Sequence, residues 1–254
     1  MSMISLEFPP VSHLIEWPDL FGTSGPFGLN KVVLLTFVAA ILVLAFYVAA
    51  GRRRSLVPTG VQNLGETVVE FIQEGIILQT MGPEGLAWTP FLLTLFSFIF
   101  ACNIFGIIPL IQMPVNARMA LPAFLAMVVW LLFNIVGIKS QGFFGYFKSM
   151  MFPPGVPKAL YILVTPIEVV STIIVRPLSL AVRLFANLLA GHLLLVSFAI
   201  ISTALFEATV VGAILPGGLL IALTGFEILV AVLQAFIFTI LAAVYIGGAM
   251  HPEH

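Results

Sequence analysis

The chain has 254 residues, of which 61% are hydrophobic and only 8% charged, with 23 Phe and a formal net charge of −1. A soluble domain runs nearer ~45–50% apolar and ~25% charged, so this composition, with mean hydropathy +1.17, could not cover a water-facing surface. A cytosolic enzyme, a secreted domain and a nucleic-acid binder, which would need a basic face, are excluded, and an integral membrane protein is left. The single Cys102 excludes an internal disulfide framework, and its Phe-Ala-Cys-Asn setting reads as a small buried residue. The four histidines do not cluster at metal-ligand spacing, and His251 and His254 read as solvated tail residues, so no metal and no cofactor is expected.

Charges punctuate the chain, and the gaps between them predict the spans. Residues 1–30 form an external N-terminal segment carrying Glu7, Glu16 and Asp19, with no basic run followed by an apolar one that would mark a signal peptide. The first transmembrane helix is expected at 31–51, since 32–51 is uncharged, ends at Arg52-Arg53-Arg54, and matches the ~20 residues that cross a ~30 Å core. Over 60–80, Val61, Leu64, Val68, Phe71, Ile72 and Gly75 recur at helical spacing, while Gln62, Asn63, Glu66, Glu70, Gln73 and Glu74 take the other side. That pattern predicts an amphipathic interfacial helix. Its polar face is acidic, which favours a protein partner over anionic lipid, and packing against the chain's own spans competes equally. A transmembrane hairpin follows over 89–139: a helix at roughly 89–109, closed by Ile107-Ile108-Pro109, and a second at 119–138 between Arg118 and Lys139.

The segment 159–250 is apolar but interrupted by Glu168, Arg176, Arg183, His192, Glu207 and Glu227. Its one clear turn signal is Leu215-Pro216-Gly217-Gly218, which predicts two long helices. At ~1.5 Å per residue they would run about 70 Å and about 50 Å, so they must tilt steeply or kink, with Pro166 and Pro177 as the kink sites. The fold class is therefore an all-α polytopic membrane protein with about five crossings, the last two helices long and steeply tilted. Lys/Arg bias sets the orientation. Arg52, Arg53 and Arg54 follow the first span and Lys139, Lys148 and Lys158 the third, whereas the intervening loop has only Arg118. The N-terminus is expected outside and the C-terminus inside.

An intramembrane Arg or Glu costs a few kcal/mol, roughly 2.5–3.5 on insertion scales, so it faces protein or water and is a functional candidate. Arg176, Ser179, Arg183, Ala186, Asn187 and Ala190 fall on one helical stripe, small or polar apart from its arginines, over which another surface could approach closely. Small-residue helix packing, with each arginine snorkelling to an interface, is the competing reading, stronger for Arg176 than for Arg183. His192 lies about half a turn round from that stripe. On the last helix Glu227, Gln234 and Tyr245 are seven and eleven residues apart, nearly whole turns, and put a carboxylate, an amide and a phenol on one face. A guanidinium stays protonated and can only set the field, whereas histidine and a desolvated glutamate exchange protons near neutral pH. Together they are the parts for controlled proton passage, although a pair buried only to join two helices would read the same. Glu168 and Glu207 sit near helix ends, where a solvated reading competes with a functional one.

Arg183-Leu-Phe-Ala-Asn187-Leu-Leu-Ala-Gly-His192, followed by Leu233-Gln234-Ala-Phe-Ile-Phe-Thr-Ile-Leu-Ala-Ala-Val-Tyr245, resembles subunit a of the F-type ATP synthase. The resemblance covers about 160–250 strongly and is compatible elsewhere. It implies that Arg183 is the family's essential arginine, facing the carboxylate of a rotating ring of c subunits, with Asn187 and Gln234 beside it. It implies that His192 and Glu227 are the pair lining an aqueous half-channel, histidine first as in mitochondrial-type members. Ser179 and Tyr245 match further polar positions, and Glu168 only weakly, because its spacing from the arginine differs slightly from that in relatives. The implied function is a proton-conducting stator of the Fo motor, with two offset half-channels that load and unload the c-ring carboxylate. The implied partners are the c-ring, b-type peripheral stalk subunits, the rest of the F1Fo complex and the bilayer, in a bacterial plasma membrane.

No Gly-x-x-x-x-Gly-Lys-Ser/Thr loop occurs, so no nucleotide is expected as a ligand; without a basic face nor is nucleic acid, and the chain is no enzyme on its own. A secondary ion-coupled transporter would need repeats meeting at broken helices, and the halves show no self-similarity. A structural membrane scaffold would explain the apolar bulk but not Arg183 together with Glu227 and Gln234.

Overall fold

The computed structural model describes residues 30–52, 55, 57–108, 115–152, 160–208 and 210–250, the side chains of 207–213 excepted. The acidic N-terminal segment, Arg53, Arg54, Pro109, Lys158, the side chain of Glu207 and the two tail histidines lie outside the described residues. A backbone surrounded by lipid has no water to bond to, so it must satisfy its own N–H and C=O groups. All regular structure among the described residues is accordingly helical, and five segments there are long and apolar enough to cross a membrane.

The first, α1 (Lys31–Arg52), matches the expected span and leaves most of its surface uncovered, packing on the chain only along one edge through Val32, Leu35 and Ala39. Helix α2 (Val61–Ile72) runs on through a π-turn at Gln73–Ile77 to Leu78–Thr80, in the region expected to be amphipathic. Its packed edge is not the expected one. Gln62, Gly65 and Ile72 are buried, whereas Val61, Leu64 and Phe71 are exposed. Gln62 can be buried because its amide is satisfied in place, donating to Ser55 O at 3.1 Å and Glu66 Oε1 at 2.8 Å. The π-turn then rotates the chain so that Ile76 and Ile77 are both fully buried.

The helix of the second span starts at the expected 89 but ends sooner than 109. A 3₁₀ turn at Pro83–Trp88 leads into α3 (Thr89–Ile104), which stops where Gly106 N–H bonds back to Asn103 O at 3.1 Å. Helix α4 (Ala120–Gln141) agrees with the expected third span. Gly142, at φ +75°, reverses the chain into α5 (Phe143–Met151), a short helix with no counterpart in the sequence reading.

The last segment begins with α6 (Tyr161–Val170), passes a π-turn at Ser171–Val175 and continues as α7 (Arg176–Ala208). The irregularity expected near Pro177 takes this form: the ring supplies no N–H to the preceding turn, and the backbone there adopts five-residue hydrogen bonding. Helix α8 covers Val210–Met250. Leu215-Pro216-Gly217-Gly218 is therefore not a turn: Pro216 lies inside α8, which is helical from Val210 on. A proline close to a helix start forfeits one hydrogen bond, which is cheaper in a bilayer than opening a turn whose groups all lack partners.

Helices α7 and α8 form an antiparallel pair, with α3 packed on α8 and α4 on both. Leu180, Leu184 and Leu188 of α7 meet Ala235, Ala242, Ala243 and Ile246 of α8, closed over by Leu92 and Ile99 of α3 and Val129 and Phe133 of α4. The alanines let the backbones approach closely, which is how helices gain contact where lipid is as apolar as leucine.

Candidate functional site

On α7 the inward face carries Leu180, Ala181, Leu184, Leu188 and His192, all buried. The opposite face leaves Arg183, Ala186, Asn187 and Ala190 exposed, so the stripe expected from spacing is an open surface. Arg183 makes no hydrogen bond or ion pair with any described residue. Its buried neighbour Leu184 anchors the helix while the guanidinium points out of the bundle.

A cavity of about 370 Å³ opens between α7 and α8. Asn187 and Gly191 from α7 and Glu227 and Gln234 from α8 give it its polar lining, among leucines, Phe226 and Val230. Gly191 makes this arrangement possible: a Cβ there would collide with Glu227 Oε1, so the bare backbone is what lets the carboxylate lie across α7. Gln234 is 5% exposed. His192, one residue past Gly191, is turned about 100° away into the α7 inward face and is absent from the cavity lining. The structure thus sets Asn187, Glu227 and Gln234 around one cavity and His192 on the neighbouring face.

A second polar cluster lies at the other end of the helix pair. Arg176 Nη2 meets Glu168 Oε1 at 3.0 Å, with both side chains about one-third exposed (33% and 35%). The same guanidinium lies 5.5 Å from the centre of the Tyr245 ring, a cation–π distance, and Tyr245 packs on Phe133. Glu168 is therefore paired, and Arg176 has partners on two other segments of the chain. Tyr245 shares a helix with Glu227 and Gln234 but belongs to this second cluster. Ser179 donates to Arg176 O at 3.2 Å, which caps the local backbone. Tyr146 on α5 sits close by, where burial pushes its hydroxyl above the usual phenol range and the Arg176 charge pulls it part of the way back. None of Glu168, Arg176 and Tyr245 lines the α7–α8 cavity, so Arg183 stands between two polar regions that share no residue.

Two further polar features escaped the sequence reading. Asn103 of α3 donates to Ala231 O of α8 at 3.1 Å and accepts from Asn116 at 2.7 Å, all in the buried interior. Trp130 of α4 donates its indole N–H to Thr172 O at 3.1 Å. An amide inside an otherwise apolar run was the available signal for Asn103, but its partner lies 128 residues away, beyond any spacing argument.

Five apolar helices long enough to cross a membrane, with an ion pair and a polar cavity set among the last of them, define a polytopic membrane protein. Comparison with known proteins is specific. The ATP synthase A chain family matches residues 32–247. "ATP synthase subunit a" of Frankia alni is 44% identical over 242 residues, covering 94% of this chain and 84% of that protein. The subunit of the same name in Rhodococcus erythropolis is 41% identical over 248 residues, 93% of this chain and 88% of that protein. That of Acidiphilium cryptum is 42% identical over 226 residues, 87% of each. The chain belongs to the ATP synthase A chain family, and is a non-catalytic, multi-pass membrane subunit of the Fo part of an F-type ATP synthase.

Proposed function

We propose that this chain forms two offset aqueous half-channels that load and unload protons on the carboxylate of a rotating c-ring, with Arg183 at the exchange site. The observation that carries this reading is the placement of Arg183, exposed on a face of small residues between two polar clusters that share no residue. A ring of helical hairpins could pass closely over that face. A proton entering by the cavity of Asn187, Gly191, Glu227 and Gln234, with His192 at its edge, neutralises a ring carboxylate. Neutral, that site faces lipid without the desolvation penalty of a bare charge, several kcal/mol or more. After nearly a full turn it meets the other side, where Arg183 lowers its pKa and the proton leaves past Glu168, Arg176 and Tyr245. The fixed positive charge also repels protons and blocks a direct leak between the two sides.

Membrane potential supplies ~2.3 kcal/mol per charge per 100 mV, so many small steps must be summed by rotation. The Lys/Arg asymmetry supports an N-terminus outside and a C-terminus inside, which makes the cavity the outer path and the Glu168–Arg176 cluster the inner one. A b-type stalk would hold the chain still against the ring, and the open surface of α1 offers room for such a neighbour.

The test is Arg183→Ala in inverted membrane vesicles carrying assembled complex, with ATP-driven acidification and passive proton leak read from a pH-sensitive dye. Pumping should be lost, with or without added leak. Pumping near the unsubstituted level would make Arg183 a packing residue and end the two-channel reading.

A further inference from the structure

The π-turn at Ser171–Val175 has a local cause and an unpaired consequence. Pro177 carries no N–H, so it cannot donate to the turn before it. Arg176 N–H bonds to Ser171 O, in the five-residue pattern. Thr172 O is then without a backbone donor, because Arg176 N–H is engaged and the residue five positions on is the proline. Thr172 is 3% exposed, so water does not serve it freely, and the indole N–H of Trp130 takes the place at 3.1 Å. Trp130 is also bonded through its backbone. Its carbonyl accepts from Asn134 Nδ2 at 2.7 Å, and Asn134 Oδ1 accepts from the Tyr146 hydroxyl at 2.9 Å.

The turn also decides which side chains share a face. Positions eight apart on a straight α-helix point about 80° apart. A π-turn absorbs one extra residue, so the same eight count as seven and the offset falls to about 20°. Glu168 and Arg176, eight apart, meet at 3.0 Å across this turn. Without it the carboxylate would swing toward the outer surface and leave an intramembrane guanidinium unpaired.

We propose that Trp130 is a positioning residue: by holding Thr172 O it keeps the π-turn, and through the turn it keeps Glu168 in register with Arg176. The inference rests on the proposed proton path only for its readout. The experiment compares Trp130→Phe, which keeps an aromatic ring without a donor, with Trp130→Tyr, which keeps a ring ending in an O–H donor. Both are measured as ATP-driven acidification by assembled complex in inverted vesicles, alone and combined with Glu168→Gln.

Loss of one buried hydrogen bond corresponds to about a 3- to 10-fold lower initial rate for Trp130→Phe, with Trp130→Tyr retaining most of the activity. In the Glu168→Gln background the Phe substitution should cost little more, since both changes break one linkage. A Trp130→Phe complex that pumps normally overturns the proposal. So do equal losses for Phe and Tyr, full additivity with Glu168→Gln, or failure of both variants to assemble, each of which makes Trp130 a packing residue. Assembly of the Tyr variant alone supports it. Arg183→Ala reports separately on the two-channel reading: normal pumping there defeats that reading whatever Trp130 does.

Discussion

At the scale of single residues, a backbone position without a side chain matters as much as the charges around it. Gly191 holds open the space into which the Glu227 carboxylate projects. Gly191→Ala should push that carboxylate out of the cavity between α7 and α8 and lower ATP-driven acidification about 10-fold, equivalent to ~1.4 kcal/mol in the barrier. Gly218→Ala is the matched control, since nothing lies within 4 Å of a Cβ built there, and it should pump normally. The sequence made Arg183, Asn187, Glu227 and Gln234 legible because each interrupts an apolar run at helical spacing. It did not separate Tyr245 from Glu227 and Gln234, because their shared face runs from Glu227 to Tyr245 of α8 and meets different neighbours at its two ends. Nor could it seat His192 outside the cavity lining while Gly191 touches it, since that choice depends on how α7 is rotated against α8 and α4.

At the scale of elements, spans were readable from gaps between charges, and irregular turns were not. The ends of α1 and α4 fall within three residues of expectation, because charged residues fix where lipid stops. Pro216 misled, since a Pro-Gly-Gly run usually breaks a helix in water, and a bilayer changes the balance toward continued hydrogen bonding. Pro177 gave the place of an irregularity but not its form, which required Trp130 from another helix. Close packing of α8 relies on small side chains at its contact line. Ala242→Leu should overpack it and destabilise by about 1–3 kcal/mol, read as a lower temperature of unfolding or of complex dissociation in detergent. Val244→Leu, on the exposed side of the same turn, should leave that temperature unchanged.

At the scale of the whole molecule, the proposed orientation rests on a charge imbalance that no internal contact records. Val57, in the loop after α1, is 74% exposed. With Cys102→Ser as background, Val57→Cys should react with a membrane-impermeant maleimide in inverted vesicles and stay unlabelled in intact cells. Labelling from outside would reverse the chain, and with it the polar cluster by which the proposed path enters and the one by which it leaves.

The alanine seam has a mechanical side. Ala231, Ala235, Ala242 and Ala243 present almost no relief to their neighbours, so few knobs, Phe238 and Ile246 the largest, stop α8 sliding along its own axis. Resistance comes from a few directional bonds spread along its length. Asn103 grips the carbonyl of Ala231 near the middle, and Ser140 grips that of Met250 at the end. The helix is thus a smooth rod held by pins. If a rotor drags on the face it shares with α7, shear passes through those pins more than through the alanine line. Stiffness under load and stability at rest would then be set by different residues, and one could change while the other is kept.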